Sequence, residues 1–106
     1  MTIKKETHNT LNEIKKNLLS KAKNGTISIS VSIYTSTYED SYVHDVEINV
    51  SKDNEFLCTI VSDAYYTKTD TCKNAERRAE VVLKYIKELL QYHENIKVHN
   101  SVELYS

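Results

Sequence analysis

Apolar and polar positions change their period along this chain. Leu11, Ile14, Leu18, Leu19 and Ala22 recur at helical spacing, while Lys15, Lys16, Lys21 and Lys23 fall mostly between them; this predicts an amphipathic helix. Thr10 and Glu13 have capping-box spacing at its start, with residues 1–9 as a helical extension or a frayed end. Gly25 is placed to end the helix in a left-handed conformation. From Thr26 the period becomes two. Ile27, Ile29, Val31 and Ile33 alternate with Ser28, Ser30, Ser32 and Tyr34, the pattern of a half-buried strand.

Glu39, Asp40 and Ser41 are expected to reverse the chain into a second strand. It would carry Tyr42, His44, Val46, Ile48 and Val50 inward and Val43, Asp45, Glu47 and Asn49 outward. Lys52, Asp53 and Asn54 turn again. A third strand, Glu55 to about Tyr66, is apolar on both faces near Phe56, Leu57, Ile60 and Val61, as a central or helix-covered strand would be. Asp70 or Thr71 then caps a second helix with Ala75, Ala79, Val82, Leu83, Ile86, Leu89 and Leu90 as its buried stripe. Ile96, Val98, Val102 and Leu104 alternate loosely, so residues 96–106 read as a short strand or a tail. The expected fold is α+β in the order α-β-β-β-α, a three-stranded antiparallel sheet with its helices on one face.

With 106 residues, the chain makes one domain, with a working surface in place of an enclosed cofactor chamber. It has no proline and one glycine. A phosphate-binding loop, a dinucleotide fingerprint and a nucleophile elbow all need glycines where backbone approaches a phosphate or turns sharply, so none can be built here. No cofactor is implied. No apolar run approaches the ~18 residues of a membrane span. The early lysines are followed by no apolar block, which points to a cytoplasmic protein. Cys58 and Cys72 lack framework spacing and read as reduced thiols, with a single bridge between them left open.

The net charge of -1 conceals segregation. Residues 26–71 hold eight acids against Lys52 and Lys68, together with five of the eight tyrosines. The flanking segments are balanced or basic. On the expected sheet, Tyr34, Tyr38, Asp45 and Glu47 share the solvent face, with Asp63 and Tyr65 as further candidates for it and Glu39 and Asp40 at the adjoining turn. Tyrosine supplies rigid contact area with a polar tip, and rows of carboxylates attract basic grooves and repel nucleic acid. A polar outer face is also the ordinary condition of an antiparallel sheet, and tyrosine suits strands on packing grounds alone.

Other chemistry is thinner. Asp45 and Glu47 project to one face, and Asp63 on a neighbouring strand would complete a carboxylate set for Mg²⁺ in a nuclease-like enzyme. His8, His44, His93 and His99 lack zinc spacing, and His44 reads as a rim residue. Cys72 lies near a helix start, where the dipole favours a thiolate, without a general base beside it in sequence. Cys58 reads as a small core residue.

The segment Thr71-Cys72-Lys73-Asn74-Ala75-Glu76-Arg77-Arg78-Ala79 resembles the final-helix motif of double-stranded RNA-binding domains, and the element order is similar. The resemblance implies phosphate contacts from Lys73, Arg77 and Arg78 and groove contacts near Leu11-Asn12-Glu13 and His44. The chain departs from the motif at Cys72, where the family has a lysine, and at Glu39-Asp40, where it has a Gly-Pro loop that enters a groove. Acids in such a loop oppose direct nucleic-acid binding.

By size, element order and acidic sheet, the chain is also similar to the small phage and mobile-element proteins that inhibit host defence nucleases, anti-CRISPR proteins among them. That similarity implies a non-enzymatic inhibitor that blocks a basic nucleic-acid-binding site, on a host nuclease or CRISPR effector, through Tyr34, Tyr38, Glu39, Asp40, Asp45, Glu47, Asp63 and Tyr65. An exposed strand edge would also allow two copies to pair as a homodimer.

Overall fold

The alternation that begins at Ile27 opens a strand that runs for twelve residues in the computed structural model of the protein. The structure describes residues 5, 7–9, 11–13, 16 and 25–106. β1 (Ile27–Tyr38) pairs antiparallel with β2 (Ser41–Lys52) along its whole length, and β2 pairs antiparallel with β3 (Glu55–Thr67). The β1–β2 turn is Glu39–Asp40, with Glu39 at φ 54°. The β2–β3 turn is Asp53–Asn54 with φ of 50° and 70°, the two left-handed residues that a two-residue hairpin loop requires.

The described residues at 5, 7–9, 11–13 and 16 are helical (α1). Residues 7–9 extend the helix ahead of the expected cap; Thr10 itself, Ile14, Lys15, Leu18, Leu19, Lys21, Ala22 and Lys23 lie outside the described residues. Leu11 is buried in the core, and His8 hydrogen-bonds the hydroxyl of Tyr85. Gly25 does not adopt the left-handed conformation. Its role is close approach: a Cβ there would stand 2.5 Å from Oδ2 of Asp53, whose other oxygen, Oδ1, accepts from the Thr26 amide at 2.9 Å.

Helix α2 (Lys73–Leu90) buries Ala75, Ala79, Val82, Leu83, Ile86 and Leu90 against the inward columns of β1 and β2. Its cap is Cys72, not Asp70 or Thr71: Cys72 has extended dihedrals, and its sulfur accepts from the Ala75 amide at 3.4 Å. Among the described residues, no helix is long and apolar enough to cross a membrane.

The sheet is larger and more mixed than three antiparallel strands. After α2 the chain returns to the free edge of β1, where β4 (Ile96–Val98) and β5 (Glu103–Tyr105) each pair parallel with it. The resulting order is β3-β2-β1-β4, with β5 further along the same edge of β1. An unpaired backbone edge beside the core is costly. Here Ile27 donates to Asn95 at 2.8 Å and His99 donates to Ile29 at 2.9 Å. β3 therefore stands at the outside of the sheet, although its apolar sequence reads as a central strand, and Phe56, Leu57 and Val61 are exposed.

Candidate functional site

Strand register decides which side chains share a face. Residues opposite one another in a ladder project to the same side, so Ser32 with Glu47 and Tyr34 with Asp45 lie on the face away from α2. β5 adds Glu103 beside Ser32 and Tyr105 beside Tyr34. β3 adds Val61 beside Glu47 and Ala64 beside Asp45. Two neighbouring rows thus cross the open face: Glu103, Ser32, Glu47, Val61 and Tyr105, Tyr34, Asp45, Ala64. Tyr38, Glu39 and Asp40 are exposed just beyond them, at the β1–β2 turn.

This surface is crowded with negative charge. Burial, together with the adjacent Asp45 carboxylate, pushes the Glu47 carboxyl above its ordinary range. Glu103 is held below its ordinary range by hydrogen bonds from Tyr105 and with His99, whose Nδ1 lies 2.8 Å from it. The same bond to Glu103 raises the Tyr105 phenol. Alongside, the Thr59 hydroxyl donates to Asn49 and the Asn49 amide donates to Ser32, both at 2.8 Å, so a polar chain ties three strands together on this face.

Asp63 and Tyr65 are elsewhere. Their ladder partners are the inward residues Val46 and His44, so they lie on the helix side. Asp63 accepts from Nε of Arg78 at 2.8 Å, with side-chain exposures of 12% and 6% for acid and base. That pair alters two expectations together: it takes Asp63 away from the acidic face and Arg78 away from the exposed start of α2, where Lys73 and Arg77 remain exposed. Asp45 and Glu47 consequently do not converge with Asp63 as a carboxylate set. Burial, then the Asp63 charge, raises the Tyr65 phenol.

His44 is a core residue, 1% exposed. Nδ1 lies 2.9 Å from the Thr35 hydroxyl and Nε2 lies 2.6 Å from that of Thr67. The Thr67 hydroxyl donates its only proton to the Thr69 carbonyl at 2.6 Å, so it must accept from Nε2–H; a neutral imidazole then takes the Thr35 proton at Nδ1. Its ring atoms are fully engaged in joining three strands. This end of the inward columns is polar and borders a cleft of about 710 Å³, whose lining includes Thr35, Thr37, Tyr42, His44, Cys72 and Leu104. Cys58 and Cys72 are half-buried free thiols.

Glu103 and Tyr105 are the members of the surface that sequence reasoning did not place. Their signal was the alternation with Val102 and Leu104, but it carries no information about which strand they would join. A scan against models of protein families, a search of curated proteins and a search of solved structures each return no match.

Proposed function

We propose that the protein is a non-enzymatic binding protein whose open sheet face docks on a basic, nucleic-acid-binding surface of a partner and blocks it. A host defence nuclease, such as a CRISPR effector, is the kind of partner that fits. The observation that carries the reading is the placement of Asp45 and Glu47 of β2 and Glu103 of β5 on one face, with Tyr34 of β1 and Tyr105 of β5 among them. Glu47 is partly desolvated beside a like charge, an arrangement that a cationic partner relieves on contact. Tyr38, Glu39 and Asp40 extend the same surface at the turn. Their carboxylates take the place of phosphates, and the tyrosines anchor the contact.

The test is capture from a nuclease-treated host extract, followed by titration against the captured nuclease. The Asp45→Lys, Glu47→Lys double variant should bind at least about tenfold more weakly, with a salt dependence shallower than the parent's. Equal affinity at low salt would overturn the reading. The competing reading is duplex-RNA binding through Lys73 and Arg77, supported by the exposure of both at the start of α2 and by the antiparallel order β1-β2-β3. It predicts a salt-sensitive gel shift lost in Lys73→Glu, Arg77→Glu.

A further inference from the structure

The inward columns of β1 and β2 change chemistry at one step of their ladder. On β1, Ile27, Ile29, Val31 and Ile33 give way to Thr35 and Thr37; on β2, read in the same direction, Val50, Ile48 and Val46 give way to His44 and Tyr42. Ile33 pairs with Val46, then Thr35 with His44 and Thr37 with Tyr42. Apolar side chains continued past that step would need a cover, whereas hydroxyls can stay open to solvent or to a ligand. The cleft of about 710 Å³ lies over this polar end, and its size falls within the ~300–1,000 Å³ of small-ligand sites.

Its walls are held from below. Thr67, bonded to His44, donates to the Thr69 carbonyl, and Thr69 donates to the Thr71 carbonyl at 2.9 Å. A run of hydroxyl-to-carbonyl bonds thus leads from the buried imidazole to Cys72 and the start of α2. The Tyr42 ring stacks on His44 with the planes 23° apart, which fixes an aromatic wall. On the other side of β1, Leu104 lies beside Ile33 and is 69% exposed, whereas Ile33 is 4% exposed. An apolar occupant of the cleft would cover Leu104.

The hydrogen-bonding capacity of the lining is lopsided. Thr35 donates its only proton to Nδ1 of the neutral His44, so toward the cleft its oxygen can only accept. Asp70 and Glu76 add two carboxylates, and among the described residues no lysine or arginine lines the cleft. Acceptors and negative charge select a donor-bearing cation over an anion. We propose that the cleft binds a small organic amine, with its ammonium group among the Asp70, Glu76 and Thr35 oxygens and its apolar body against Tyr42 and Leu104. The site lies on the helix side of the sheet, away from the acidic open face, so this inference goes beyond the proposed function and stands or falls separately from it.

NMR titration of the full chain with phenethylamine, phenethyl alcohol and phenylacetate tests it, because the three share one body and differ in charge. Phenethylamine should shift the signals of Thr35, Tyr42 and Leu104, the alcohol should do so only at about tenfold higher concentration, and phenylacetate should not. Asp70→Asn, Glu76→Gln changes two exposed positions; it should weaken the amine about tenfold and leave the alcohol unchanged. Leu104→Ser should weaken both. Absence of cleft shifts at millimolar phenethylamine overturns the inference, as does an equal response to the alcohol or to phenylacetate. Amine binding that survives the Asp70 and Glu76 changes overturns it too, and so do shifts confined to Asp45, Glu47 and Glu103, which would assign the amine to the open face.

Discussion

The two faces of the sheet come from the same three long strands and the same alternation, yet different forces hold them. On the helix side, Ile27, Ile29, Val31, Val46, Ile48 and Val50 are buried against α2, and the stabilisation is removal of apolar surface from water. On the open side, hydrogen-bonded serine, asparagine and threonine replace that packing, and the acids and tyrosines remain in contact with solvent. The difference teaches which residues are free to serve a partner: a residue of the first face is committed to the fold, while one of the second can change with little effect on stability. Asp63 and Arg78 sharpen the point, since their chemistry suits a surface but their register places them among the committed residues.

The comparison can be broken most forcefully from the inward side. Ile48→Ala should cost about 2–5 kcal/mol in urea denaturation, whereas Val61→Ala on the other face should stay within about 0.5 kcal/mol; similar losses would mean that the faces are not distinct. Arg78→Ala removes the guanidinium from a largely buried carboxylate and should cost about 3 kcal/mol. Arg78→Met with Asp63→Leu should recover most of that loss, because two apolar residues replace two desolvated charges. Asn49→Ala cuts the Thr59-Asn49-Ser32 chain while Ser32 remains buried, and about 1 kcal/mol is expected.

The smallest effects concern pH and have opposite signs at two carboxylates of one row. The Glu47 carboxyl is raised, so the folded chain holds that proton to higher pH than the unfolded chain. Stability falls as pH rises through the window just above the ordinary carboxylate range, and Glu47→Gln should abolish that component. Glu103 is lowered. Its contribution is present above the ordinary carboxylate value and disappears as pH falls through the lowered one, so Glu103→Gln should remove an acid-sensitive component instead. Denaturant midpoints across the acid range separate the two; the same slope change in both variants would contradict the assignment.

Much of this was legible from the chain. The alternation of Ile27 through Tyr34 and of Tyr42 through Val50 identified the inward and outward sets of β1 and β2, because each side chain's face is fixed by its neighbours two positions away. β3 was not legible in the same way. Its extra residues at Leu57 and Ser62 shift the alternation twice: counting by two from Glu55 misplaces Cys58 through Val61, and the count returns to phase only beyond Ser62, where Asp63 and Tyr65 face inward with Glu55, so neither shift shows in the local pattern. His44, expected at a rim, is buried because Thr35 and Thr67 satisfy both ring nitrogens from the flanking strands. That solution depends on three strands meeting in register.

By itself, then, the sequence determined the local periods, the turn positions, the stripe of α2 and the concentration of acids and tyrosines in the hairpin region, because each depends on residues close together in the chain. The tertiary structure alone decided that β4 and β5 would complete the far edge of β1, that Glu103 and Tyr105 would join Asp45, Glu47 and Tyr34, that Asp63 would turn to Arg78, and that β3 would lie outermost. Those outcomes depend on pairings between distant segments, where backbone hydrogen bonding and burial choose among partners that the local pattern leaves equivalent.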